Sequence, residues 1–200
     1  MGSLMRLRIL LLCSLLLGGC AAAAAVAAVP GVLVDRTMGY FKGQDISLAL
    51  DMQRSLAAVQ QGLERMSLHV NVLEPVPDGY AMEFGNGELD GDIHLQRQTQ
   101  NLTTLTISAH RGLSQQSSVE SAMAKEVLTA SEQGEDGAHF EFAGYDSIYA
   151  QPETSAEKLG WFRPGTKLNV SVVRKAGWLK IKLPSGQNAY IKGALKSDGT

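Results

Sequence analysis

The amino-terminal stretch limits this chain most, because it withdraws residues from any globular core. Arg6 and Arg8 precede an apolar run from Ile9 to Leu17, which ends in Gly18, Gly19 and Cys20. A basic start, an apolar stretch of this length and a small-residue cleavage site make a secretory signal. Cys13 leaves with that signal, so Cys20 is the only cysteine of the processed chain. A disulfide framework is therefore excluded, even in an oxidising compartment. The fold must rest on burial and hydrogen bonding alone.

Leu17, three residues before Cys20 with two glycines between them, resembles the lipobox of bacterial lipoproteins. In that family a diacylglycerol is attached to the cysteine sulfur, the preceding peptide bond is cut and the new amine is acylated. The resemblance implies a signal over 1–19, lipid attachment at Cys20 and a membrane partner through the acyl chains. One chain holds a protein only marginally, at about 0.8 kcal/mol per buried methylene, whereas several anchor it stably. An uncleaved signal anchor is the alternative, since about 20 apolar residues span a bilayer. Gly18, Gly19 and Pro30 weaken a continuous helix there. Ala21 stands where an aspartate would retain such lipoproteins in the inner membrane. The resemblance therefore implies the outer membrane, facing the periplasm.

Charge narrows the partners further. The whole chain carries 18 basic and 20 acidic residues, a net charge of −2. Without Arg6 and Arg8 the processed chain moves to about −4, which argues against nucleic acid as a diffuse electrostatic partner.

The pattern then divides into modules. Residues 20–38, rich in alanine and valine, form a tether from the lipid. Residues 39–130 have an α+β pattern in the order β-α-β-β-β-α. Thr37 to Gln44, with Tyr40 and Phe41, suits a first strand. Leu48, Met52, Leu56, Val59, Leu63 and Met66 make a helical stripe, with Asp45 or Ser47 placed to cap it. Leu68, Val70 and Val72 alternate as a half-buried strand, and Pro75 to Gly79 turns the chain. Tyr80 to Leu89 and Asp92 to Arg97 read as a hairpin joined at Asp90-Gly91, with Gly85-Asn86-Gly87 competing for the turn. Leu105, Ile107 and Ala109 alternate in a last strand. Ser117 with Glu120 has the form of a capping box before a helix with Val119, Met123 and Val127 on its apolar face. Residues 131–143 read as a linker. From about His139 the chain is turn-rich and aromatic, the pattern of a small all-β barrel.

Residues 144–196 resemble bacterial SH3 domains. Ile148 to Pro152, Leu159 to Phe162 with Gly160, and Pro164-Gly165-Thr166 carry the likeness. So do the alternation of Leu168, Val170 and Val172, then Gly177-Trp178 and finally Tyr190-Ile191. Tyr149 replaces the arginine usual in the first strand, and Ala189 the glycine before the closing tyrosine. Residues 39–130 resemble, more loosely, a family of small bacterial lipoprotein domains without known activity. The points of contact are Tyr40, Gly43, the helix from Ser47, Asp90-Gly91 and Thr103 to Arg111.

Catalytic patterns are not legible. His69, His94, His110 and His139 are scattered, and no serine lies in a Gly-x-Ser-x-Gly turn. Asp90 and Asp92 share a strand face but flank a turn glycine. No pattern implies a metal or another cofactor. Tyr149, Trp161, Trp178 and Tyr190 are the candidate binding residues, able to line a groove for a peptide or glycan or else to fill the barrel core. Lys180, Lys182, Lys192, Lys196, Arg174 and Lys175 make this end basic. The expectation is a non-enzymatic, membrane-anchored adaptor touching peptidoglycan or its peptide stems. The alternative is a scaffold or accessory subunit that binds an envelope protein.

Overall fold

The structure, a computed structural model, describes residues 43–135 and 137–194. The signal, Cys20 and the tether lie outside the described residues, as do Tyr40, Phe41 and Lys196.

Among the described residues the first strand, β1, is Gln44–Leu48; of the stretch from Thr37 to Gln44 only its last two residues are described. Leu48 therefore ends a strand instead of opening a helix, and it is buried there. Helix α1, Met52–Arg65, starts where Asp51 caps it. The Asp51 carboxylate accepts from the amide N–H groups of Gln53 at 2.9 Å and Arg54 at 3.0 Å. Asp45 and Ser47 lie within β1 and do not cap the helix. Met52, Leu56, Val59 and Leu63 form the buried stripe.

Four strands then run to the second helix, matching the four alternating segments, although the order β-α-β-β-β-α counts one fewer. They are β2 (His69–Val76), β3 (Gly79–Gly85), β4 (Asp90–Thr99) and β5 (Leu102–Arg111), followed by the two-residue β6, Ser114–Gln115. Of the two competing turns between β3 and β4, the one at Asn86 forms. Its side-chain oxygen accepts from the N–H groups of Glu88 and Leu89, and Gly87 adopts φ +97°. Asp90 and Gly91 are consequently strand residues, paired with Gly85 and Phe84. Gly91 has to be glycine, because a Cβ there would collide with the Ser108 carbonyl oxygen and the Phe84 ring.

Helix α2, Ser117–Gln133, has Gln116 at its N-cap and no side-chain cap. Glu120 does not close a capping box. It is buried, and its carboxylate accepts from the Ala109 N–H of β5 at 3.0 Å and from the Gln115 amide. Both helices pack on one face of the sheet, over a core that includes Leu56, Leu63, Phe84, Ile93, Leu105, Ile107, Met123 and Val127.

The segment after α2 is docked on that core. Phe140 is fully buried in it, and Glu141 exchanges backbone hydrogen bonds with the Gln60 side chain. The remaining strands are β7 (Asp146–Tyr149), β8 (Lys158–Phe162), β9 (Val170–Val172), β10 (Trp178–Lys182) and β11 (Asn188–Lys192). They cover a second core of Val72, Ile148, Phe162, Leu179, Ile181, Leu183, Ala189 and Ile191.

The two cores share one sheet. Its order is β1-β5-β4-β3-β2-β8-β7-β11-β10-β9, with every ladder antiparallel. The junction is β2 against β8, where Val72 faces Phe162 and Leu73 faces Trp161. A bulge between Val70 and Val72 makes this possible. Strand side chains alternate, and one inserted residue reverses the alternation. Val70 and Leu73 therefore both meet the helices, while Val72 joins the second core instead of continuing the face of Leu68 and Val70. The strand-rich end is thus built onto the α+β sheet, not strung from it by a free linker. Its ladder is an open path from β8 to β9 among the described residues.

Candidate functional site

Strand alternation decides what the strand-rich end presents. Leu179 and Ile181 on β10, with Ala189 and Ile191 on β11, point into the second core. Trp178, Lys180, Tyr190 and Lys192 occupy the opposite phase. Cross-strand register sets Tyr190 between Tyr149 of β7 and Lys180 of β10, and Trp178 beside Lys192.

Three of the four candidate residues come together here. The rings of Tyr149 and Trp178 meet edge to face, with centroids 5.6 Å apart at 78°. Such a pair is worth about 0.5–1.5 kcal/mol beyond its burial. Trp178 is 8 % exposed yet belongs to neither core; Tyr149 and Tyr190 are half-buried. Lys180 is half-buried and Lys192 exposed. Tyr149 and Tyr190, still partly exposed and packed with the buried Trp178, offer ring faces and hydroxyls beside two ammonium groups, and such a surface can meet a sugar ring or a peptide and pair with a carboxylate.

Trp161 is placed elsewhere. Its ring lies 4.7 Å from that of Phe142, and it packs against the first core at the junction. Phe140 in turn touches both Phe142 and Tyr145, whose hydroxyl donates to the Val70 carbonyl at 2.9 Å. These aromatic residues knit the junction together.

A second feature escaped the sequence. A cleft of about 1160 Å³ separates the helix-free side of the sheet around β2 to β4 from the turns after β8 and β10. Glu83 and Asp92, register partners on β3 and β4, line it together with Asp90. Burial pushes the Glu83 carboxyl up to about 7, and the negative charges of Asp92, Glu74 and Asp90 add to the shift. Burial also raises Asp92, against a lowering influence from His110. His94, on the same sheet face, is lowered by burial. Arg163, Lys167 and Lys182 line the cleft from the strand-rich side. The phase of Glu83 was legible from its alternation with Met82 and Phe84. What it faces was not, because that depends on pairing β2 with a strand some 90 residues later. Among the described residues, no group of three or more histidine, cysteine, aspartate or glutamate side chains can hold a metal ion.

Comparison with known families agrees with this layout at one end of the chain. The family described as bacterial SH3 domain matches residues 145–196, about a quarter of the sequence. A search of curated proteins gave no match. The match begins one residue inside the expected boundary and takes in β7 to β11, with Tyr149, Trp161, Trp178 and Tyr190 all within it. A domain of this kind suggests a binding role, toward peptidoglycan or protein. The strand-rich end of this chain, residues 145–196, is a bacterial SH3 domain.

Proposed function

We propose that this chain is a lipoprotein held at the outer membrane by acyl chains on Cys20. It faces the periplasm and serves as a non-enzymatic adaptor that contacts peptidoglycan or its peptide stems. The observation that carries this reading is the surface of Tyr149 and Tyr190, backed by the buried Trp178 and bordered by Lys180 and Lys192, on the SH3 domain. Aromatic faces suit sugar rings and peptide planes, and lysines suit the carboxylates of peptide stems. The lipobox-like sequence before Cys20 supplies the anchor.

Co-sedimentation of the full-length protein with purified sacculi tests the reading. Retention above that of an unrelated domain of equal charge is expected. Equal retention removes the proposal.

A second reading, a scaffold for an envelope protein, is favoured by the sheet edge at β9. Val172 is 72 % exposed there, and β9 is paired on one side only among the described residues. Open edges are templates for strand addition. On this reading detergent extraction brings down a defined protein partner, and sacculi alone retain nothing.

A further inference from the structure

The cleft beside the SH3 domain has two walls of opposite charge. Glu83, Asp90 and Asp92 stand on one side; Arg163, Lys167 and Lys182 stand on the other. Among the described residues no ion pair joins the walls. On the acidic wall the negative charges of Asp92, Glu74 and Asp90 act together on Glu83. Opposite charges that could have closed on each other are instead held apart by the sheet on one side and by β8 and β10 on the other.

Such a gap favours a ligand that carries both charges at a fixed separation. Each end then forms a charge-assisted hydrogen bond, and low-dielectric walls focus the field between them. The volume, about 1160 Å³, slightly exceeds the about 300–1,000 Å³ of typical small-molecule sites, so it admits a short peptide. The amide oxygen of Asn71, also part of the lining, is buried without a hydrogen-bond partner. It is an acceptor that the chain itself leaves unused.

We infer that this cleft binds a short zwitterionic peptide, its ammonium on the Glu83–Asp92 wall and its carboxylate on the Arg163–Lys167–Lys182 wall. The site is separate from the aromatic face of the SH3 domain. Peptide backbone N–H and C=O groups would meet the polar lining between the walls.

Titration calorimetry of the full-length protein in detergent tests this at pH 8, with trialanine as the probe. Extended trialanine spans about 10 Å between its charged ends. N-acetyl-trialanine and trialanine amide each lack one charge. Saturable binding of the free peptide is expected, weakened at least tenfold by either blocking group. Glu83→Gln, an isosteric change, and Lys182→Gln, at an exposed position, are each expected to weaken it at least threefold. Tyr190→Ala is expected to leave it unchanged, which separates this site from the aromatic face. No saturable binding, equal binding of either blocked peptide, or indifference to both cleft substitutions overturns the inference.

Discussion

The carboxylate of Glu74 on β2 accepts two hydrogen bonds from Ser185, one from its amide N–H at 2.8 Å and one from its hydroxyl at 2.6 Å. Glu74 is 4 % exposed, so a residue of the α+β sheet is held by the turn between β10 and β11 of the SH3 domain. Buried charged acceptors lose more when a partner is removed than neutral ones do. Glu74→Ala is expected to lower stability by about 2–3 kcal/mol, and Ser185→Ala by about 1 kcal/mol, because the amide N–H remains. Urea unfolding checks both values. It also checks a single transition for the native chain, which the shared sheet requires. Two separate transitions would show that the halves are independent.

Gly160 controls the other half of the same junction. A Cβ at this position would collide with the Leu73 carbonyl oxygen on β2. Gly160→Ala is expected to cost about 3 kcal/mol or more, since backbone, unlike a flexible side chain, cannot move aside cheaply. Thermal unfolding of the variant measures the loss. A change within about 0.5 kcal/mol, the range of ordinary surface substitutions, would contradict the tight β2–β8 contact.

Glu83 makes stability depend on pH with a definite sign. Its carboxyl is raised from 4.5 to about 7, by burial first and then by Asp92, Glu74 and Asp90. The folded chain therefore binds more protons than the unfolded chain between these values. Its stability falls as pH rises through that window. Glu83→Gln removes this titration. The variant is expected to exceed the native protein by about 2 kcal/mol at pH 8, allowing for partial exposure, and to match it at pH 4. Urea unfolding at both pH values decides. A difference that stays constant with pH would contradict the buried-carboxyl account.

On the proposed lipoprotein reading, Cys20 decides where the protein resides. Replacement by alanine is expected to move the protein from the membrane fraction to the soluble fraction, or to block processing. Mass spectrometry of the native amino-terminal peptide is expected to find acyl chains on residue 20. An unmodified amine and a free thiol would remove the anchor from the account.

Much of the fold could be read from periodicity, and the failures have physical causes. The buried phase of Leu105, Ile107 and Ala109 was readable, as was the α1 stripe from Met52 to Leu63, because each pattern runs for several repeats. Leu48 was ambiguous: it stands four residues before Met52, so it fits the helical stripe, yet it also fits a strand end. The pairing of Ile46 with Leu105 and the Asp51 cap settle it, and the pairing is not local. The turn forms at Asn86, whose side chain caps the Glu88 and Leu89 amides, and Gly91 instead becomes a strand residue whose bare backbone leaves room for the Phe84 ring. Glu120 looked like a capping residue but serves the Ala109 amide, a partner on another element.

The candidate site was legible in the same uneven way. Tyr149, Trp178 and Tyr190 were singled out as aromatic residues able to line a surface, and register brings them together. Trp161 was indistinguishable from them by type and spacing. Its place at the junction follows from β2 adding to β8, which no local pattern announces. The cleft depends on that same addition. Its carboxylates and cations come from segments far apart in the chain.

Sedimentation with purified sacculi, run in parallel on the native protein and a Lys180→Glu, Tyr190→Ala double variant, tests the central claim most directly. Both substitutions lie on the outer phase of β10 and β11, away from the second core, so the fold is expected to persist. The account predicts retention of the native protein and a loss of at least tenfold in affinity for the variant, about 1.4 kcal/mol. Equal retention of the two, with circular dichroism showing both folded, would contradict it.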